Sequence, residues 1–94
     1  MLSHKKGWKE FLELCASISS SEELGALFDL FYTIEEKETL ASRYMIIKAL
    51  LEGELTQREI AETAKVSIAQ ITRGSNALKI ISFKLRNTLK SKLK

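Results

Sequence analysis

The chain has 94 residues, 45% of them hydrophobic and 29% charged, with four glycines and no proline; this excludes a disordered chain and favours one domain of helices joined by short turns. No apolar run approaches the ~18 residues of a membrane span, and residues 1–9 lack the apolar core of a signal peptide, so a cytoplasmic protein without a membrane partner is expected. The net charge of +3 is divided unevenly, residues 10–54 carrying ten acids and three bases, residues 55–94 two acids and nine bases, so the C-terminal half is the one suited to a polyanion.

Trp8, Phe11, Leu12, Cys15 and Ile18 recur at three- and four-residue spacing and predict a first helix over about 5–19. Cys15 lies on its apolar stripe, where a buried thiol is expected rather than a nucleophile. With a single cysteine and a single histidine, His4, there is no disulfide and no zinc pairing, so no metal site is expected. No Ser/His/Asp set exists for covalent catalysis, and an enzyme is not expected.

Four later segments open with a hydroxyl followed three residues on by Glu or Gln, the pattern of a reciprocal helix cap. Ser20-x-x-Glu23 opens a second helix over about 21–32, with Leu24, Leu27, Phe28 and Phe31 as its apolar side. Thr33-x-x-Glu36 opens a third over about 34–52, which Gly53 ends as a left-handed stop. Thr56-x-x-Glu59 and Ser67-x-x-Gln70 open a fourth over about 57–64 and a fifth over about 67–80. Ser82 can cap a sixth through about 92, with Leu85, Leu89 and Leu93 along one side. The prediction is an all-α, six-helix protein without strands.

The third helix is apolar nearly all round over residues 44–51, where only Lys48 is polar. A helix apolar all round must be buried all round, and a chain this short encloses too little to do that alone. A homodimer with an extensive apolar interface is therefore expected, against the alternative of a loosely amphipathic helix in a monomer. Residues 1–94 are expected to form a single domain, with about 8–54 and 82–92 as the dimerisation core and 56–80 as a separate head.

Residues 57–76 fit a helix-turn-helix. Counting Gln57 as position 1, apolar residues stand at positions 4, 8, 10 and 15 (Ile60, Ala64, Val66 and Ile71), pinning two helices across a short turn, while Ala61 is small where they pass closely. The second helix would enter a major groove with its N-terminal residues leading, which selects Ser67, Ala69, Gln70, Thr72 and Arg73. Arg58, at the start of the first helix, can reach a phosphate or a base edge. Residues 67–79 contain no acid, which favours DNA over a packing hairpin. Lys65 stands where the turn usually takes glycine, at a steric cost of about 1–2 kcal/mol if it is left-handed.

At Ile71-Thr-Arg-Gly-Ser-Asn-Ala-Leu-Lys79 the sequence resembles the tryptophan repressor family. The resemblance extends upstream through Leu50-Leu-x-Gly-Glu-Leu-Thr-Gln-Arg-Glu59 and Ala41-Ser-Arg43, more faintly to Trp8, and is weakest after Lys79. It implies an intertwined all-helical homodimer that binds operator double-stranded DNA, uses L-tryptophan as corepressor, and controls genes of tryptophan biosynthesis or uptake. By this resemblance Arg43 and Arg73 flank the indole, Arg73 also holds the carboxylate, and Gly74 leaves room for the ring. The partner subunit's Thr33 would bind the carboxylate, and the backbone carbonyls of the partner's Leu30 and the partner's Tyr32 the ammonium. On the DNA face Gln57, Arg58, Ile68, Ala69, Thr72 and Lys79 match the family pattern, while Ala61 replaces a lysine that contacts phosphate. Ala77 stands where the family often has a serine that accepts from the ammonium, Tyr32 replaces a leucine and Gln70 a threonine.

The sequence thus predicts a tryptophan-responsive repressor. Two other readings are a repressor that no longer answers to tryptophan and a helical protein-interaction module whose acidic half meets a partner.

Overall fold

The computed structural model describes residues 2–93, which form six α-helices and, among the described residues, no strand. They are α1 (His4–Ser17), α2 (Ser21–Phe31), α3 (Ile34–Glu52), α4 (Gln57–Ala64), α5 (Ile68–Ile80) and α6 (Phe83–Lys92). Each begins behind a hydroxyl. Ser3, Ser20 and Ser82 accept the N–H of Lys6, Glu23 and Leu85, which satisfies donors that a helix start leaves without a partner. Thr33 with Glu36, Thr56 with Glu59 and Ser67 with Gln70 form reciprocal caps, side chain to backbone in both directions.

The expected boundaries shift at three helices. α1 starts at His4, because Ser3 caps it, and stops at Ser17, whose hydroxyl donates back to the Leu14 carbonyl at 2.7 Å. Ile18 is therefore outside the helix, in extended backbone that leads to the cap at Ser20. α2 ends at Phe31 and α5 begins at Ile68, since Tyr32 and Ser67 are extended residues flanking them. Gly53 ends α3 in the left-handed region at φ 70°, as its type and place foretold. No helix of the described residues is long and apolar enough to cross a membrane.

The chain divides into two compact units, residues up to 36 and residues from 37 on. In the first, Phe11 of α1 is the hub of a ring cluster. It stacks with Trp8 at 5.9 Å and meets Phe28, Phe31 and Tyr32 of the α2 end, Phe31 edge-on at 5.1 Å. Such edge contacts favour the ring quadrupoles. The cluster is nevertheless open: Trp8 is 59% exposed, and no described residue of this unit is fully buried. Cys15, expected to be buried, is for that reason only half-buried.

The second unit has a core. Ile46 of α3, Ile60 of α4 and Ile71 of α5 are buried together, with Ala49, Leu50, Ala61 and Val66 packed around them. Leu78 is buried further along α5, and the Arg86 guanidinium of α6 donates to its carbonyl, a group near the helix end that lacks an intrahelical donor. In α3 the apolar stretch is packed on one side through Ile46, Ala49 and Leu50, while Tyr44 and Met45 are exposed.

Candidate ligand cavity and nucleic-acid interface

α4 and α5 are joined by three residues that the backbone constrains tightly. Lys65 is left-handed at φ 56°, and the N–H groups of Lys65 and Val66 both turn back to the Ala61 carbonyl. This ending closes α4 and directs Val66 onto the core, where Ala61 also packs. Ser67 then caps α5. Ile60 and Ile71 pin the two helices, as their spacing predicted, so the outer face of α5 is held against a rigid support.

On that outer face Ile68, Ala69, Thr72 and Lys79 are exposed, and Gln57 and Arg58 are exposed at the start of α4. Ala69, Thr72, Asn76 and Lys79 follow one another at three- and four-residue steps and so form one stripe. Asn76, absent from the expected set, is found by the same spacing. Ser67 and Gln70 are exposed but differently employed. The Ser67 hydroxyl accepts the Gln70 N–H at 3.1 Å, and the Gln70 Oε1 accepts the Ser67 N–H at 2.9 Å. From residue 63 to residue 93 the chain has seven bases and no acid, so α5 and α6 themselves carry only positive charge.

On the adjoining flank of α5 the structure forms a cavity of about 560 Å³ against α3, within the range of small-molecule sites. α3 lines it with Thr39, Arg43, Ile46 and Ile47, and α5 with Gln70, Arg73, Gly74 and Ala77. Each set repeats at three and four residues, so each is one helical face. The cavity has two isoleucine walls, two guanidinium groups and no carboxylate. It suits a flat ligand bearing an anionic group, because guanidinium both stacks on aromatic faces and binds carboxylate in a fork.

Arg43, Arg73, Gly74 and Ala77 are thus brought together. Thr39, Ile46 and Ile47 were missed, although they lie four residues before and three and four after Arg43 on the same helical face. Gly74 has a packing reason of its own: a Cβ there would stand 2.9 Å from Ile46 Cγ2, so α5 can approach α3 only with glycine at this point. Leu30, Tyr32 and Thr33 belong to the first unit. Leu30 is exposed, the Tyr32 ring packs on Phe11 and Phe28, and the Thr33 hydroxyl accepts the Glu36 N–H at 3.1 Å, keeping its own O–H as a donor.

The sequence profile of the Trp repressor protein family matches residues 6–93. A Trp operon repressor homolog of Chlamydia caviae is 54% identical over 95% of this chain and 88% of its own length. One from Chlamydia trachomatis serovar D is 61% identical over 80% of each chain, and one from Vibrio campbellii is 41% identical over 99% of this chain and 92% of its own. With a six-helix fold and a match over residues 6–93, the chain belongs to the Trp repressor family, and is a DNA-binding regulator of transcription, not an enzyme.

Proposed function

We propose that this protein is a homodimeric repressor that reads operator DNA with α5 of each subunit and takes L-tryptophan as corepressor in the α3–α5 cavity. The observation that carries the proposal is that α5 presents two functional flanks at once. Gln70, Arg73, Gly74 and Ala77 line the cavity, while Ala69, Thr72 and Lys79 face solvent one step round the helix. A ligand seated on the first flank touches the element that must enter the major groove with the second. If only a fraction of ligand-free dimers holds both α5 helices at the separation of successive grooves, about 34 Å, a ligand that favours that arrangement raises apparent affinity up to the inverse of that fraction. Arg73 holds the carboxylate and Arg43 the opposite face of the indole; the partner subunit's Thr33 donates to the carboxylate. α4 and α5, residues 56–80, are the reading head, and 8–54 with 82–92 the dimer core. Genes of tryptophan biosynthesis or uptake are the targets.

The test is selection of duplex sequences with and without L-tryptophan, followed by affinity measurements on the selected operator. Tryptophan should tighten binding, and Arg73→Ala should abolish most of that response. Ala77→Ser should strengthen tryptophan binding by about 1 kcal/mol, since it restores a hydroxyl for the ammonium. Equal operator affinity in both conditions would defeat the corepressor role and leave a repressor indifferent to tryptophan. Duplex binding without steep salt dependence would defeat DNA reading as well and favour a protein-interaction module.

A further inference from the structure

Lys65 is the only described residue other than glycine with a positive φ, and it holds that conformation in the turn between α4 and α5. A side chain there costs free energy that glycine avoids, and a strained residue that a fold keeps points to a role beyond folding. The side chain offsets none of that cost inside the chain. Lys65 is exposed, and among the described residues its ammonium makes no ion pair, although Glu62 stands three positions earlier. Local packing sets where it points. Ala64 and Val66 on either side are half-buried, Val66 against the core of Ile46, Ile60 and Ile71, so the residue between them is turned outward. Its backbone N–H is bound to the Ala61 carbonyl, which fixes the base of the side chain.

A cation is useful at this place. Three residues on, Ile68 begins α5, and if the first turn of α5 leads into the major groove, the turn before it passes the phosphates that wall that groove. No carboxylate on residues 63–93 opposes a phosphate there. We propose that Lys65 is a phosphate-binding residue, whose ammonium contacts the DNA backbone beside the leading end of α5 and for whose sake the strained turn is kept. The contact adds affinity and fixes register without reading a base. With Lys79 in the last turn of α5, it places a cation at each end of the reading helix. This rests on α5 entering the major groove as proposed above.

The distinguishing variants are Lys65→Gly, Lys65→Asn and Lys65→Arg. Glycine and asparagine accept the left-handed conformation and remove the charge, whereas arginine keeps both charge and strain. The full-length proteins are titrated with the selected operator and with random duplex, L-tryptophan present, between about 50 and about 200 mM salt. Each phosphate contact contributes about 0.9 to the slope of log affinity against log salt, so losing one in each of two subunits should flatten that slope by about 1.8. Lys65→Gly and Lys65→Asn should thus weaken operator and random DNA by the same factor, and that deficit should shrink roughly tenfold across the salt range. Lys65→Arg should match wild type in affinity and in slope. Lys65→Gly should lose DNA binding while unfolding at a higher urea concentration than wild type. If Lys65 serves only the turn, Lys65→Gly and Lys65→Asn will keep the wild-type salt slope at whatever affinity they show; that result would overturn the inference and leave α5 as the reading helix. Wild-type binding to duplex without steep salt dependence would overturn both.

Discussion

Lys65 and Gly74 occupy the two backbone positions where side-chain size is decided by geometry. Lys65 holds φ 56° and ψ 48°, a conformation that brings Cβ toward the carbonyl and that glycine enters without that clash. Lys65→Gly should therefore raise stability by about 1 kcal/mol, less whatever entropy the added freedom of the unfolded chain returns. Urea midpoints of the two proteins check this, and an unchanged or lowered midpoint would count against strain at the turn. Gly74 is the opposite case. Its helical backbone would accept any residue, but the Ile46 methyl that a Cβ would meet is buried and belongs to a β-branched side chain with few rotamers. Gly74→Ala should cost about 1–3 kcal/mol by overpacking, although alanine is the better helix former. A stabilised Gly74→Ala protein would show that α5 can move away from α3.

Among the elements, α4 is the shortest at eight residues, and its start depends most visibly on one charged side chain. The Thr56 backbone N–H, and next its hydroxyl, hold the Glu59 carboxyl below its ordinary value. A carboxylate whose folded value is depressed stabilises the fold above its unfolded value, and that contribution disappears as pH falls through the folded value. Glu59→Gln should thus be less stable than wild type near neutral pH and equal to it in acid, as followed by urea unfolding at both. A difference that persisted in acid would assign Glu59 another role. On α5, the stripe and the α4 start make distinct predictions for DNA. Arg58→Ala and Thr72→Ala should each reduce discrimination between operator and random duplex by about 1–3 kcal/mol if they read bases. Lys79→Ala should weaken all duplexes alike and flatten the salt dependence. If Arg58→Ala weakens operator and random DNA equally, Arg58 contacts phosphate.

For the molecule as a whole, the balance of buried and open apolar surface is the governing fact. Only Ile46, Ile60, Ile71 and Leu78 are fully buried among the described residues, whereas Trp8, Leu30, Phe31, Tyr44, Met45, Ile80 and Phe83 are open to solvent. So many large apolar side chains left open call for cover, and a chain with so small a core gains little from folding alone. A second copy as the cover predicts that dissociation and unfolding are one transition, with a midpoint that rises with protein concentration. Sedimentation and circular dichroism over a dilution series check this, and a folded monomer at micromolar concentration would defeat it.

What the sequence determined by itself is what short-range chemistry controls. A hydroxyl three residues before Glu or Gln announced where α2 to α5 begin; at Thr33, Thr56 and Ser67 the pair satisfies two helix-end donors, while at Ser20 the expected reciprocal cap is only half made, the hydroxyl accepting the Glu23 N–H. Gly53 announced the end of α3, and the apolar spacing from Ile60 to Ile71 announced how α4 and α5 pack. Arg43, Arg73, Gly74 and Ala77 were named from a motif that resembles a family, and their gathering in one cavity was not legible in composition or period. It depends on which face of α3 meets which face of α5, and that is decided by the shared core of Ile46, Ile60 and Ile71 and by the missing Cβ at Gly74. For the same reason Gln70, read from sequence as a DNA contact and as half of the α5 cap, acquires its place beside the cavity only once the chain is folded. The half-buried Cys15 shows the converse: an apolar stripe tells which side of a helix seeks cover, but how much cover exists is a property of what packs against it.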